Sequence, residues 1–225
     1  MMVLEGDGQG WRWVSLALLG AWHGLNPAMG WLFGVALGLQ RKSRKAVFQS
    51  LAPIALGHAL AIAMAVTLVA LLGFAMPISV LRWTAAAALV GFGLWRLRRL
   101  RHPSWVGMQV SFLDLTRWSW LMATAHGAGL MLVPVVVGLR PAVCGITAGS
   151  APGEVFTLTS VTVVGATAVH TASHLAVSTG IAWLVYDRLG LMVLRSSWIN
   201  LDFIWSCSLL IAGGLVLVTG ALSLR

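Results

Sequence analysis

Charged side chains are absent from four long stretches of the chain, residues 13–40, 46–81, 118–139 and 155–186, and from a fifth, residues 203–224. A helix rising about 1.5 Å per residue needs about 20 apolar residues to cross the roughly 30 Å hydrocarbon core of a bilayer. Each stretch is therefore predicted to hold a transmembrane helix. A sixth, shorter span falls near residues 77–95, with Arg82 close enough to its end for the guanidinium to snorkel to the interface. The pattern predicts an all-α integral membrane protein of about six transmembrane helices. Stretches 46–81 and 155–186 exceed the length of one span and leave room for tilt, a short loop or a re-entrant piece. Two less apolar stretches, residues 105–117 and 187–202, have no clean helical period and read equally as interfacial amphipathic helices or cytoplasmic loops.

Composition agrees with this pattern. Of 225 residues, 59% are apolar and 9% charged, and the mean hydropathy is +0.88. A water-exposed surface could not be built from such a chain. Residues 1–225 are expected to form one membrane domain with the lipid bilayer as its first partner. The formal charge of +9 would suggest nucleic acid in a soluble protein, but here it is carried by short basic clusters between apolar runs, and no nucleic-acid partner is expected. These clusters are Arg41, Lys42, Arg44 and Lys45; Arg96, Arg98, Arg99 and Arg101; and Arg188 with Arg195. They follow alternate spans, so the positive-inside rule places both termini outside the cytoplasm, in an expected bacterial inner membrane. Trp11, Trp13, Trp105, Trp118, Trp120 and Trp198 fall near predicted span ends, as an interfacial belt would. Glu5 and Asp7 stand where a signal peptide would carry basic residues, so the first apolar run is expected to remain as a span. Cys144 and Cys207 have neither CxxC nor CxxH spacing and read as structural.

The runs also suggest an internal repeat. Trp22-His23-Gly24-Leu25-Asn26-Pro27 lies in the first span, and Ala125-His126-Gly127-Ala128-Gly129, with Pro134 after it, lies in the fourth. His58 follows in the second span, His170 and His174 in the fifth. Residues 1–100 and 105–225 thus read as two three-helix repeats of inverted topology, a plan that places transport sites near the midplane where broken helices meet.

Five of the six histidines lie inside predicted spans, while His102 sits in a loop beside Arg101 and Pro103. An ionisable ring in hydrocarbon is costly, so it should face the bundle interior and meet a partner, a substrate or an ion. His170 and His174, four residues apart, share one helix face and can clamp a transition metal. Imidazole suits Ni, Co, Cu and Zn. Harder cations want carboxylates, and Glu5, Asp7, Asp114, Glu154, Asp187 and Asp202 all lie outside the spans or at their ends. His23, Asn26 and Met29 recur at intervals of three, roughly one side of a helix, offering an imidazole, an amide and a soft thioether; core filling is the ordinary role of a methionine there. Pro27 removes a backbone donor, so carbonyls one turn earlier are expected to open toward an ion path.

His23-Gly24-Leu25-Asn26-Pro27, the basic loop after it and Leu56-Gly57-His58-Ala59 resemble the first two spans of NicO-type nickel and cobalt permeases, within the lysine-exporter superfamily of six-span, two-repeat transporters. The resemblance covers roughly residues 15–70. It implies a metal path opened by an HGL-acid-P-x-H motif in the first span and completed by a histidine in the second. Asn26 stands where the family has its acid and Met29 where it has a second histidine, which tilts the site toward a softer ion.

The expected function is a secondary transporter or permease for a transition-metal cation, with metal-path residues His23, Asn26, Met29, His58, His126, His170 and His174. Protons are the expected coupling ion, since imidazole exchanges proton and metal near neutral pH. With no Walker motif, ATP drive would need another subunit. Two alternatives stand beside it: an exporter of a small organic solute such as an amino acid, and a haem-binding subunit with bis-histidine ligation. No nucleophile and base motif points to an enzyme, and a homo-oligomer remains open.

Overall fold

The structure, a computed structural model, describes residues 9–75, 77–98, 111–143, 152–189 and 201–222. Among these residues no strand occurs; the chain forms α1 (Gln9–Leu25), α2 (Trp31–Gln40), α3 (Arg44–Ala75), α4 (Ile78–Arg98), α5 (Phe112–Ala125), α6 (Ala128–Val143), α7 (Pro152–Leu184) and α8 (Leu201–Leu222). A 3-10 turn, Pro27–Met29, joins α1 to α2, and a π-helical turn, Val185–Leu189, extends α7. Glu5, Asp7, His102, Trp105, Cys144 and Trp198 lie outside the described residues.

Counted in chain order with 77–95 as the third and 203–224 as the sixth, the first and fourth apolar runs, 13–40 and 118–139, are each broken into two helices. Asn26 precedes a proline, which disfavours the helical region, and it takes φ −73°, ψ 118°. Its side-chain oxygen accepts from Ala28 N at 3.0 Å and so starts the 3-10 turn. Gly30 then turns the chain at φ +123°. In the fourth run the turn falls on Gly127 at φ +71°, in the left-handed region that glycine enters without a Cβ penalty. The helices after the breaks match in length: α3 has 32 residues and α7 33, while α4 has 21 and α8 22.

Two boundaries differ from the sequence expectation. Helix α5 begins at Phe112, inside the stretch 105–117, because Ser111 and Asp114 form a capping box: the Asp114 N–H donates to the Ser111 hydroxyl oxygen, and the carboxylate accepts from Ser111 N at 3.1 Å. In stretch 187–202, helix α7 continues through Leu189 and α8 starts at Leu201; residues 190–200 lie outside the description.

Among the described residues Arg44–Leu72, with mean hydropathy 2.3, is long and apolar enough to cross a membrane alone. Phe112–Ala125 with Ala128–Val136, bent by 60°, is so as a pair. The outer face of α3 is correspondingly apolar: Leu60, Met64, Leu68 and Leu71, at helical spacing, all stand about half exposed. The interior holds Leu16, Ile62, Leu89, Leu132 and Leu209, none of them measurably exposed, together with five buried histidines. The apolar outer face of α3 and the buried histidines are both uncommon in a water-soluble bundle.

Close packing sets the relation between helices. Trp13 lies against Gly165, Leu16 O against His170 and Gly24 O against Ser178, so α1 and α7 run parallel. In the same way Leu115 meets Ile54 and Gly129 meets Ala65, so α5–α6 advances along α3. Glycine permits both approaches: a Cβ on Gly24 would stand 2.6 Å from His174 O, and one on Gly57 would stand 2.8 Å from Ser119 Cβ. Gly24→Val is expected to destabilise the fold by about 1–3 kcal/mol through overpacking. Thermal unfolding in detergent checks this, and an unchanged melting temperature would show that the helices do not approach so closely.

Candidate functional site

Helices α1, α3 and α7 meet at four histidines with no measurable exposure: His23, His58, His170 and His174. His58 lies 5.7 Å from His23, 5.4 Å from His170 and 4.0 Å from His174, measured between ring centroids; His23 and His170 are 4.8 Å apart. The i, i+4 spacing of His170 and His174 presents both rings to α3, and His58 is nearly parallel to each, at 8° and 5°. His23 meets His58 and His170 edge-on.

The hydrogen bonds divide the four into two kinds. His23 Nδ1 lies 2.6 Å from Leu19 O, and His170 Nδ1 lies 3.3 Å from Leu16 O. A carbonyl only accepts, so each Nδ1 carries the proton and each Nε2 keeps its lone pair, the tautomer a metal-ligating histidine uses when a backbone carbonyl orients it. Both Nε2 atoms are buried with no hydrogen-bond partner. His58 and His174 have no partner on either nitrogen, so no hydrogen bond fixes the orientation of their rings. Orphaned polar atoms of this kind cost about 1–3 kcal/mol each. No carboxylate approaches them among the described residues. Asp114 is spent on the α5 cap, and Asp187 pairs with Arg44 at 3.0 Å at the far end of α7.

The remaining predicted residues have other surroundings. Asn26 lies on a cap instead of a helix face, because α1 ends at Leu25, before even the first interval of three is complete; its amide oxygen accepts from Ala28 N. Met29 is 2% exposed and belongs to the main apolar core with Leu16 and Ile62. His126, 1% exposed, caps the end of α5 with its Nδ1 2.8 Å from Met122 O, and Trp205 packs beside it. Gly24 O, one of the carbonyls expected to open before Pro27, accepts from a side-chain donor, and so do carbonyls at both breaks. Trp31 Nε1 donates to Leu25 O at 3.2 Å and Ser178 to Gly24 O at 3.3 Å; at the second break Trp205 Nε1 donates to His126 O and Arg96 to Ala125 O, both at 2.5 Å. Each of these carbonyls thus has one side-chain donor.

Sequence reasoning missed Trp205. Its ring is 1% exposed, contacts His23 edge-on at 4.6 Å and His126 at 6.2 Å, and so stands between the cluster and the second break. The indole's place in the sixth apolar run gave no spacing signal. Also missed were Thr167 and Thr171, whose buried hydroxyls have no partner.

As placed, the rings stack and cross without converging: among the described residues no three His, Cys, Asp or Glu side chains are arranged to hold one metal ion. Ligation would require His58 and His174, the two untethered rings, to turn their nitrogens toward Nε2 of His23 and His170. The donor set is all imidazole, which fits a borderline transition-metal cation and not a hard one. Comparisons with protein-family profiles, with curated proteins and with solved structures find no match to this chain.

Trp205→Phe removes the donor to His126 O while keeping an aromatic ring. It is expected to cost at least about 1 kcal/mol through the orphaned carbonyl. Equal melting temperatures of variant and wild type in detergent would remove Trp205 from this role.

Proposed function

We propose that the protein is a multi-pass membrane permease that moves a transition-metal cation through the buried histidine cluster. The observation that carries this reading is the pair His23 and His170: each ring is tied through Nδ1 to a backbone carbonyl and left with a buried, unpartnered Nε2. Ring nitrogens so placed are stable in an apolar interior only at a free-energy cost, and a cation that visits them offsets it. The ligands are His23, His58, His170 and His174; His126, Asn26 and Met29 shape the surrounding breaks and core.

In this reading α1–α2 and α5–α6 each cross the bilayer as one broken span, and α3, α4, α7 and α8 supply the other four. The matched breaks at Gly30 and Gly127 and the matched helix lengths support two inverted three-span repeats. The basic clusters then face the cytoplasm, with both termini outside, in a bacterial inner membrane. The resemblance of residues 15–70 to NicO-type nickel and cobalt permeases points the same way. A site whose rings lie 4.0 to 5.7 Å apart favours a bare cation over a haem or an organic solute.

The test is flux. Wild-type protein in proteoliposomes is expected to take up at least one of Ni, Co, Cu and Zn above protein-free vesicles, with the rate falling at least about tenfold in a His170→Ala, His174→Ala double variant. Uptake indistinguishable from empty vesicles for all four ions rejects metal transport.

A further inference from the structure

Unpartnered polar atoms in the interior are not confined to the imidazoles. On α7 they continue in one direction only. Thr167 Oγ1 and Thr171 Oγ1 are buried without a hydrogen-bond partner, although a helical threonine can ordinarily bond the carbonyl three or four residues back. With His170 and His174 they recur at intervals of three and four, which places all four within one face of the helix. That face bears orphaned atoms from Thr167 to His174, a rise of about 10 Å at about 1.5 Å per residue.

On the other side of His174 the same face is closed. Ser178 spends its hydroxyl on Gly24 O. Beyond it Trp31, Val35, Val47, Leu51, Ala182 and Val185 form a dry cluster, ended by the Arg44–Asp187 ion pair. Polar atoms that await a partner therefore lead from the cluster toward the N-terminal end of α7 and away from the basic loop that carries Arg44.

We propose that Thr167 and Thr171 are further ligands of the cation path, hydroxyl oxygens that take over from water, Thr167 ahead of the imidazoles and Thr171 between His170 and His174. The inference rests on the permease reading above. A cation that leaves water must exchange its hydration oxygens one by one, and a hydroxyl has the lone pair for that exchange at no cost in charge. Two such oxygens on either side of His170 spread the exchange over about one helical turn. A structural threonine would have its hydroxyl satisfied, and these two do not.

The experiment separates a path role from a packing role, because Thr→Val keeps the shape and removes only the hydroxyl. Thr167→Val, Thr171→Val and the double variant would be compared with wild type in proteoliposomes loaded against Ni, Co, Cu and Zn, alongside melting temperature in detergent. The double variant is expected to lose flux about fivefold or more, the effect of a modest polar contact, while its melting temperature stays level or rises because a buried orphan has gone. Thr→Ser at both positions should restore flux. Flux within about twofold of a transporting wild type overturns the assignment and leaves the permease reading in place. A lost flux accompanied by a lowered melting temperature and no rescue by serine also overturns it, as packing damage. If the wild type moves none of the four ions, both readings fall together.

Discussion

Keeping imidazoles out of water is the constraint on which the rest of this structure depends. Four rings meet with no measurable exposure, and six of their nitrogens lack a hydrogen-bond partner. Rings with no exposed surface require the surrounding helices to pack closely around them. The packing is correspondingly tight where the rings are. Gly20 and Gly24 let α1 lie on the backbone of His170 and His174, and Gly57 lets α3 approach α5 one residue before His58. A side chain at any of these glycines would separate the helices that bring the rings together. The histidines and the glycines beside them are thus one device: small residues admit the backbones, and the backbones bury the rings.

The breaks in α1–α2 and α5–α6 serve the same end. Each ends a helix near the level of the cluster and would leave carbonyls without partners in an apolar interior. In both, a tryptophan indole supplies a donor, Trp31 at the first and Trp205 at the second, and a second polar side chain, Ser178 or Arg96, supplies another. These four carbonyls have side-chain donors where the imidazole nitrogens have none. Unsatisfied polarity therefore collects on side chains that can turn, above all on His58 and His174, whose rings no hydrogen bond holds. The cluster is thus divided between His23 and His170, each tied to a backbone carbonyl, and His58 and His174, which no hydrogen bond holds.

The parts legible in the sequence were those written in composition and spacing. Long uncharged runs marked the helices, and histidines stood out because an ionisable residue is rare in such a run. The i, i+4 spacing of His170 and His174 placed their rings together, and the structure adds His23 and His58 to them. Spacing failed where the helix it presumes stops: Asn26 and Met29 are counted past Leu25, where α1 ends, so the first became a cap and the second a core residue. The start of α5 was written in Ser111-x-x-Asp114, a capping box hidden in a stretch that lacked periodicity. Trp205 could not be found this way, since a tryptophan in an apolar run looks like any other until a neighbouring carbonyl gives its N–H a purpose. Nor could ring stacking be read, because spacing fixes a face and leaves the torsion angles free.

The central claim is that the four imidazoles act together on one cation. X-ray absorption on the purified protein loaded with Zn(II) tests it most directly. The account predicts one ion per chain with imidazole nitrogens at about 2.0–2.1 Å, and a loss of nitrogen ligands in His58→Ala, which removes the ring that contacts the other three. Zinc bound through oxygen alone, a spectrum unchanged in His58→Ala, or no bound zinc would contradict it.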